Sequence, residues 1–387
     1  MPILELSILG LLGCVGIYFF IKKKSTEKNG SNSGDKPLFK GIRYLITNEH
    51  DRAIEEFVKS VKLDSDTVET YIALADLYRS RGEIDRAIRI RQNIIIRPNL
   101  DKNTRLMALF DMGLDYKKGG FLDRALNMFQ QVIKEDPQNV KALKEMERIY
   151  EDIKEWDRAY EIRKKIERLE KGNHRHILAH YLVEMAKVEE GRGDSKKAIS
   201  LMEKAISTCR KCADAYLHLG DIYFGMGRHK DAISAWRKVL NESPEFIFLA
   251  YKRLEASFSK IRDTKAVEKF LDECINKRKD VFIYMAYARY LYTKGDIDGA
   301  IYQLNKAIEM DPSFWEARRF KGKILLEQGR KEEALREFKD IIKHISTPYL
   351  RFQCEICGYE SSELQWQCPG CKNWDTIHII RPSIKKE

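Results

Sequence analysis

The chain has 387 residues, of which 43% are hydrophobic and 33% are charged, so it is long enough for two or three domains and too rich in core-forming residues for a disordered chain. Only nine prolines are present, a composition typical of a helix-rich protein rather than a β-sandwich or barrel. Most of the net charge of +11 lies in residues 36–345, where it favours anionic partners such as a membrane surface, lipid phosphates or an acidic protein. Residues 346–387 hold five basic and five acidic residues, which argues against nucleic-acid binding by the tail.

The chain opens with an apolar segment. Leu6 to Ile21 (LSILGLLGCVGIYFFI) contains no charge, and from Pro2 the apolar stretch approaches the ~20 residues that span a bilayer. No A-x-A-like cleavage site follows, so residues 1–21 are interpreted as an uncleaved transmembrane anchor, with a buried core helix as the alternative. Lys22–Lys24 follow at once, and the positive-inside rule then places the body of the protein in the cytoplasm. Residues 22–35 read as a basic, flexible linker.

A short pattern recurs nine times through residues 36–345. An alanine, usually preceded by two polar residues, begins an apolar helical pattern, as in DRAIEEF and KDAISAW. Successive alanines are 34, 38, 34, 39, 34, 34, 34 and 34 residues apart, which locates small insertions at residues 98–103 and 170–176. The nine alanines are Ala53, Ala87, Ala125, Ala159, Ala198, Ala232, Ala266, Ala300 and Ala334.

Other residues keep the same phase relative to these alanines. Tyrosine often lies nine positions before the alanine, as at Tyr78, and a small residue twelve before it, as at Gly220, where two helices must approach closely. Proline recurs twelve positions after it, as at Pro137, and ends the second helix. The pattern resembles the tetratricopeptide repeat, a pair of antiparallel helices. It predicts an all-α solenoid of about nine repeats over residues 36–345, and the resemblance implies a protein-binding scaffold rather than a catalyst.

The first helix of each such repeat is expected to line a concave surface. In repeats eight and nine, the positions eleven and eight before the alanine are Arg289, Tyr292, Lys323 and Leu326, and Arg319 lies on the same face. We interpret this basic and aromatic patch as a candidate contact surface for a partner. An ordinary solvated helix face is the competing interpretation.

Four cysteines close the chain in two C-x-x-C pairs, Cys354, Cys357, Cys368 and Cys371, within RFQCEICGYESSELQWQCPGCKNWD. Four thiolates in two knuckles complete a tetrahedral metal site, and residues 346–387 are too short to build a sufficient core unaided. We therefore predict a rubredoxin-like ribbon over residues 346–387 that binds one metal ion. Zinc is preferred and iron is the alternative, because Lys372 stands where iron rubredoxins usually have glycine.

The remaining cysteines and histidines indicate no catalytic site. Cys209 and Cys212 lie at a repeat junction without a second pair nearby, and Cys274 stands alone in a helix. His176 and His180 are four residues apart, but no glutamate lies between them as it does in the HExxH motif of zinc proteases. An ordinary junction between repeats is therefore the preferred interpretation. Phosphate-binding and nucleophile-elbow motifs are also missing from the sequence, and we expect no enzymatic activity.

An N-terminal anchor, nine repeats and a rubredoxin-like ribbon, in this order, resemble the lipopolysaccharide assembly protein B family of Gram-negative bacteria. The segment RFQCEICGYESSELQWQCPGCKNWDTI is the most specific part of the resemblance. It implies that Cys354, Cys357, Cys368 and Cys371 are metal ligands and that the ribbon packs against the repeats.

The resemblance also implies a function at the bacterial inner membrane. Proteins of this family are adaptors that bring the deacetylase committing carbon to lipid A synthesis to a membrane-bound AAA+ protease. The expected partners are those two proteins, with lipopolysaccharide or anionic lipid as a further candidate ligand and with no nucleic acid. Two alternatives stay open: a general membrane-bound scaffold for envelope enzymes, and an iron electron carrier that uses its repeats for docking.

Overall fold

The computed structural model describes residues 37–63, 68–170, 172–261, 264–277, 279–344 and 351–380. They form eighteen α-helices, one 3-10 helix and three short strands, which confirms the prediction of helical repeats followed by a four-cysteine ribbon. The predicted anchor (1–21) and linker (22–35) lie outside the described residues. Among the helices that are described, none combines the length and the apolar character needed to cross a membrane.

The chain divides into two compact units, Met1–Lys171 and Gly172–Glu387. In the first unit, helices come in pairs joined by short turns, one pair to each of repeats one to four. The helices are α1 (Pro37–Ile46), α2 (His50–Leu63), α3 (Val68–Ser80), α4 (Ile84–Ile95), α5 (Lys102–Lys118), α6 (Leu122–Glu135), α7 (Val140–Asp152) and α8 (Trp156–Leu169).

The second unit holds repeats five to nine and the ribbon. A 3-10 helix, Pro244–Leu249, precedes the first helix of repeat seven. The α-helices are α9 (Arg175–Gly191), α10 (Ser195–Thr208), α11 (Ala213–Gly225), α12 (His229–Glu242), α13 (Tyr251–Ile261), α14 (Thr264–Lys277), α15 (Val281–Lys294), α16 (Ile297–Met310), α17 (Trp315–Glu327) and α18 (Lys331–His344).

The repeat alanines mark the centre of each helix pair. Eight of them are fully buried, and Ala266 is half-buried. Five positions before the alanine, where the first helix ends, eight repeats have a residue with positive φ. The N–H of the next residue donates to the carbonyl nine positions before the alanine, as from Glu83 to Tyr78 (2.9 Å), which is the Schellman pattern of a helix end. The left-handed residues are Asn48, Gly82, Gly120, Lys154, Gly193, Gly227, Gly295 and Gly329.

The small residue twelve positions before the alanine has a defined partner. At Gly220, a Cβ would lie 2.1 Å from Nε1 of Trp236, which is sixteen residues further on and packs between the two helices. The same spacing joins glycine to phenylalanine in three other repeats, with Cβ distances of 2.6–2.7 Å. In repeat four the pair is instead Glu147 and Arg163, whose buried carboxylate and guanidinium form two hydrogen bonds. The three glycine–phenylalanine pairs are Gly41–Phe57, Gly113–Phe129 and Gly322–Phe338.

The ribbon is built on a three-stranded antiparallel sheet of order β2-β1-β3. The strands are β1 (Arg351–Cys354), β2 (Glu360–Ser361) and β3 (Ile377–Ile380). Cys354 on β1 pairs with Ile377 on β3, and these two residues share a small core with Phe352 and Cys368. With only four buried residues in that core, the ribbon needs a further source of stability.

Candidate metal centre and its docking site

The four predicted ligands converge in the ribbon. Their Sγ atoms all lie within 4.8 Å of one another. Cys354 Sγ is 3.6 Å from Cys371 Sγ, and Cys357 Sγ is 3.5 Å from Cys368 Sγ. A tetrahedral ion with metal–sulfur bonds of about 2.3 Å sets its sulfur atoms about 3.8 Å apart. The four thiols therefore fit one tetrahedral metal ion such as zinc or iron, without a large change in geometry.

The two C-x-x-C segments repeat one backbone arrangement. The N–H of Cys354 donates to the carbonyl of Tyr359 (2.9 Å), and the N–H of Cys368 donates to the carbonyl of Asn373 (2.8 Å). One residue after each second cysteine, Gly358 has φ +75° and Lys372 has φ +59°. Both positions require the left-handed conformation, which glycine adopts at little cost and lysine does not. The equivalent turns direct both cysteine pairs toward the common centre.

The environment of the thiols suits a bound cation. Burial opposes ionisation of Cys354, but the hydroxyl of Thr376 and the backbone N–H groups of Cys357 and Ile356 lower its pKa to about 6. Burial instead raises the pKa of Cys368 to about 12. Neighbouring thiolates repel one another, so full ionisation of the four sulfurs needs a compensating positive charge at the centre. A divalent metal ion supplies that charge.

The ribbon is docked onto the first helix of repeat five through His180. This residue of α9 is 1% exposed, and its Nε2 lies 2.6 Å from Oδ1 of Asp375 in the ribbon. Asp375 is itself held in a left-handed turn (φ +56°), and its N–H donates to the carbonyl of Trp366 (2.8 Å). The contact therefore links a buried imidazole of the array to a backbone-fixed carboxylate that follows the second cysteine pair.

Aromatic rings surround this ion pair. The imidazole of His180 stacks on Trp374 at 4.9 Å and 17°, and its centroid is 5.8 Å from that of Trp366. Trp374 also meets Tyr181 edge-on, and Trp366 meets Phe246 of the 3-10 helix at 4.9 Å. Rings in these arrangements add about 0.5–1.5 kcal/mol per pair beyond their buried area. The docked ribbon thus contacts repeats five to seven.

The charges around His180 favour its protonated form. Burial opposes protonation, but Asp214 and Asp375 outweigh it and raise the pKa of His180 to about 9. Asp214 Oδ2 lies 3.8 Å from His180 Nδ1 and 3.4 Å from Lys187 Nζ, and its Oδ1 lies 3.2 Å from His218 Nε2. Burial alone would raise the pKa of Asp214, yet hydrogen bonds from His180 and His218 and the positive charge of Lys187 hold it well below the ordinary value. At neutral pH the docking site contains a buried, charged imidazolium–carboxylate pair.

Sequence reasoning missed the role of His180, which was interpreted only as part of a repeat junction. The signal that identifies it is positional, because His180 and Asp214 both lie eighteen residues before their repeat alanine. Cys209 and Cys212, in contrast, lie at the C-cap of α10 and the N-cap of α11, and Cys274 is fully buried in α14. None of these three thiols joins the cluster of four among the described residues.

Three of the five residues predicted to form a contact surface in repeats eight and nine have defined neighbours: Tyr292, Arg319 and Lys323. Lys323 Nζ lies 5.6 Å from the ring centroid of Tyr292, whose hydroxyl donates to Glu327 (2.6 Å). The guanidinium of Arg319 stacks over Trp315 at 5.5 Å. Partner binding at this surface stays a prediction. The other two predicted residues there are Arg289, which is half-buried, and Leu326, which is 49% exposed.

Models of known protein families match both the ribbon and the repeats. A family model described as a rubredoxin metal binding domain matches residues 352–378. Models of the tetratricopeptide repeat match residues 70–105, 107–139, 214–245 and 286–347. The matched ribbon includes all four clustered cysteines, and the matched repeats lie in both compact units.

Relatives match the chain from end to end. Lipopolysaccharide assembly protein B of Escherichia coli (strain K12) is 26% identical over 383 residues, which covers 98% of each chain. The protein of the same name from Haemophilus influenzae is 25% identical over 375 residues, 94% of each chain. Among solved structures, a tetratricopeptide repeat protein from Parabacteroides merdae is 15% identical, with a TM-score of 0.35, and covers 76% of this chain and 100% of its own. The resemblance to the lipopolysaccharide assembly protein B family is thereby confirmed over nearly the whole chain.

Proposed function

Because the chain resembles lipopolysaccharide assembly protein B over 98% of its length, we propose that it is a non-catalytic adaptor in lipopolysaccharide assembly. In this proposal it presents the deacetylase that commits carbon to lipid A synthesis to a membrane-bound AAA+ protease. The array of repeats supplies protein-binding surface, since such units stack into extended faces. The observation that supports an adaptor rather than an enzyme is the composition of the chain: repeats and a closed four-cysteine site.

The metal would have a structural role. Cys354, Cys357, Cys368 and Cys371 would hold one ion, with zinc favoured over iron. Four protein ligands fill a tetrahedral site and leave no position for a substrate, unlike catalytic zinc sites with three protein ligands. The ion would supply folding free energy to the ribbon, and the ribbon would then stay docked on His180. This dependence makes the second unit of the chain complete only when the metal is bound.

The proposed attachment to the membrane rests on the sequence of residues 1–35. Residues 1–21 would anchor the protein as a single-pass segment, and Lys22–Lys24 would hold the body on the cytoplasmic side of the inner membrane. As a flexible coil, residues 22–35 would have a reach on the order of 20 Å, which would hold the start of the repeat array close to the membrane. The ribbon domain over residues 346–387 would then lie near a protease anchored in the same bilayer. Lipopolysaccharide or anionic lipid is a further possible ligand of the basic array.

The test is the lifetime of the deacetylase in cells. Depleting the protein is expected to lengthen the deacetylase half-life, because its delivery to the protease stops. Re-expression of the full chain should restore the short half-life, and a variant without residues 1–21 should not. A half-life that is the same with and without the protein would exclude the adaptor and leave the general envelope scaffold.

Partial exposure of two thiols favours a second candidate function, electron transfer by an iron ion in the four-cysteine site. The sulfur-bearing residues Cys357 and Cys371 are half-buried, which would allow electron transfer if the ion were iron. The purified protein would then be red and would show reversible one-electron chemistry. A colourless protein that contains one zinc per chain would exclude this alternative.

A further inference from the structure

One position of the repeat recurs along the second unit, and we call its members the stripe. It lies eighteen residues before each repeat alanine, and neighbouring members approach one another: His180 Nδ1 is 3.8 Å from Asp214 Oδ2, and the rings of Phe248 and Phe282 are 5.6 Å apart. The ribbon covers the beginning of this stripe. His180 contacts Trp374, and Phe248 packs against the core of the ribbon. The stripe is His180, Asp214, Phe248, Phe282 and Glu316.

At the far end of the stripe, in repeat nine, Glu316 is poorly satisfied. Its Oε2 atom is buried and has no hydrogen-bond partner among the described residues. Burial raises the pKa of this carboxyl group, while the positive charges of Arg319 and Arg289 act in the opposite direction. Glu316 therefore lies in the field of two guanidinium groups without bonding either of them.

No ion pair joins either of these two guanidinium groups to a carboxylate in the part of the chain that the structure describes. Within the described residues, neither Arg289 nor Arg319 has a carboxylate oxygen within 4.0 Å. The contrast with repeats five to seven is clear, because there Lys187 pairs with Asp214 (3.4 Å) and Arg253 Nε pairs with Asp221 (2.7 Å). Among the described residues, the array thus pairs these cations near the docked ribbon, whereas Arg289 and Arg319 in repeats eight and nine have no carboxylate partner.

We propose that the face formed by Arg289, Arg319 and Lys323 binds an acidic segment of a protein partner, with one partner carboxylate bridging the two arginines. This inference rests on the proposed adaptor function and specifies the chemistry of its partner. A guanidinium group binds carboxylate through two parallel hydrogen bonds, and Trp315 and Tyr292 add apolar area beside the charges.

A protein segment fits this face better than a lipid surface does. Anionic membranes bind clusters of exposed Lys and Arg, whereas Arg289 is half-buried and Glu316 and Glu327 stand among the cations. A single carboxylate can bind a buried cation of the array, as Asp375 of the ribbon does at His180. The alternating signs also match a segment that carries a few acidic residues rather than a uniformly charged surface.

The experiment measures binding of defined peptides to the purified, metal-loaded protein by fluorescence anisotropy. The probes are a pool of fluorescein-labelled decapeptides, each with at least four Asp or Glu and one aromatic or aliphatic residue, and a matched pool with Asn and Gln instead. The acidic pool is expected to bind at least about tenfold more tightly, and Arg289→Gln with Arg319→Gln should remove most of that difference. The control, Arg330→Gln with Arg336→Gln, removes the same amount of charge from repeat nine, outside the proposed face, and should bind as the unaltered protein does.

Three results would overturn the inference. The first is equal binding of both pools, and the second is an equal loss of affinity in the control variant. The third is binding of phosphatidylglycerol vesicles, or self-association, that requires Arg289 and Arg319 while neither pool binds. Deacetylase half-life separates this inference from the proposed function: a lifetime that still depends on the protein, without acidic-peptide binding, would refute only the inference. Peptide binding with an unchanged lifetime would refute only the adaptor.

Discussion

His180 and Asp375 form a hydrogen-bonded ion pair of 2.6 Å across 195 residues of sequence, between the first helix of repeat five and the ribbon. One partner is fully buried and the other is held by the turn after the second cysteine pair. The position of the ribbon therefore depends on a residue that takes no part in metal binding. This separation allows docking and metal retention to be perturbed one at a time.

His180→Ala is expected to weaken docking of the ribbon on the repeats without loss of its metal ion. The change removes the hydrogen bond between the buried imidazole and Asp375 together with two aromatic contacts, and it leaves Asp214, which is 2% exposed, without the neighbouring imidazole. Loss of a buried hydrogen-bond partner of this kind costs about 1–3 kcal/mol. Urea denaturation followed by tryptophan fluorescence should show the loss, with one metal ion per chain retained. His378→Ala, at a ring that is 54% exposed, is the control, and an equal effect there would contradict the role of His180.

Docking should weaken at alkaline pH. The pKa of His180 is raised from 6.5 to about 9 in the folded protein, so its stabilising charge is fully present below pH 6.5 and is lost as pH rises through about 9. The groups facing the imidazole are Asp214 and Asp375, with Lys187 and His218 beyond Asp214. The stability of the unaltered protein should thus fall more between pH 7 and 9.5 than that of His180→Gln. Parallel pH curves for the two proteins would show that another group controls docking.

Cys354→Ser together with Cys357→Ser should release the metal and unfold the ribbon. Structural zinc contributes on the order of 10 kcal/mol to the folding of small domains, and the four buried residues of the ribbon core cannot replace that amount. The helices keep their own hydrogen bonds, so circular dichroism at 222 nm should change little. Metal analysis provides the decisive measurement. A double variant that kept one ion per chain would show that the ligands are assigned wrongly.

The two left-handed positions of the ribbon make a matched pair. Lys372→Gly should stabilise the ribbon by about 1 kcal/mol, since lysine at φ +59° bears a steric cost that glycine avoids. Gly358→Ala should destabilise it by a similar amount, and through the backbone alone, because a Cβ there meets no atom within 4 Å. Rates of metal transfer to a chromogenic chelator would report both changes. If both substitutions changed the rate of metal transfer in the same direction, the two turns would not be equivalent.

A second matched pair tests the packing of α11. Gly220→Ala is expected to destabilise repeat six by about 1–3 kcal/mol, because the new methyl group overlaps the indole of Trp236 and disturbs its hydrogen bond to the Leu217 carbonyl (2.9 Å). Gly225→Ala, at the end of the same helix, adds a methyl group in open space and should stabilise the helix by about 0.5–1 kcal/mol. Thermal melts of the two variants should move in opposite directions. A loss at both positions would show that helix α11 tolerates no added methyl group, whatever the packing.

The helices were predictable from the sequence because their signals are local. The repeat alanine, the tyrosine nine residues before it and the small residue twelve before it each act within one repeat, so a 34-residue period reveals them. Gly220 and Trp236 illustrate this, since the contact between them lies inside a single helix pair. The cysteine cluster was predictable for the same reason, because each C-x-x-C turn is local and four thiolates satisfy one ion.

The family resemblance implied that the ribbon packs against the repeats, but the residues that dock it were not predictable from local signals. His180 and Asp375 are 195 residues apart in sequence. Glu147 and Arg163 show a related limit, because a buried ion pair there replaces the small and large residues of other repeats. In both cases the decisive term is a tertiary contact between charged groups, which hydrophobic periodicity does not register.

The long separation between His180 and Asp375 also orders events during synthesis. A ribosome adds about 5–20 residues per second, so repeat five waits roughly 10–40 s after its first helix emerges before its partner carboxylate exists. During that interval the face with His180 and Phe248 is bare. A chain that ended between residues 345 and 350 would keep the described helices but would leave this face, with Phe248 and the buried His180, open to solvent. Chaperones and proteases act on exposed surfaces of this kind, so such a chain is expected to be degraded faster than one that carries the ribbon.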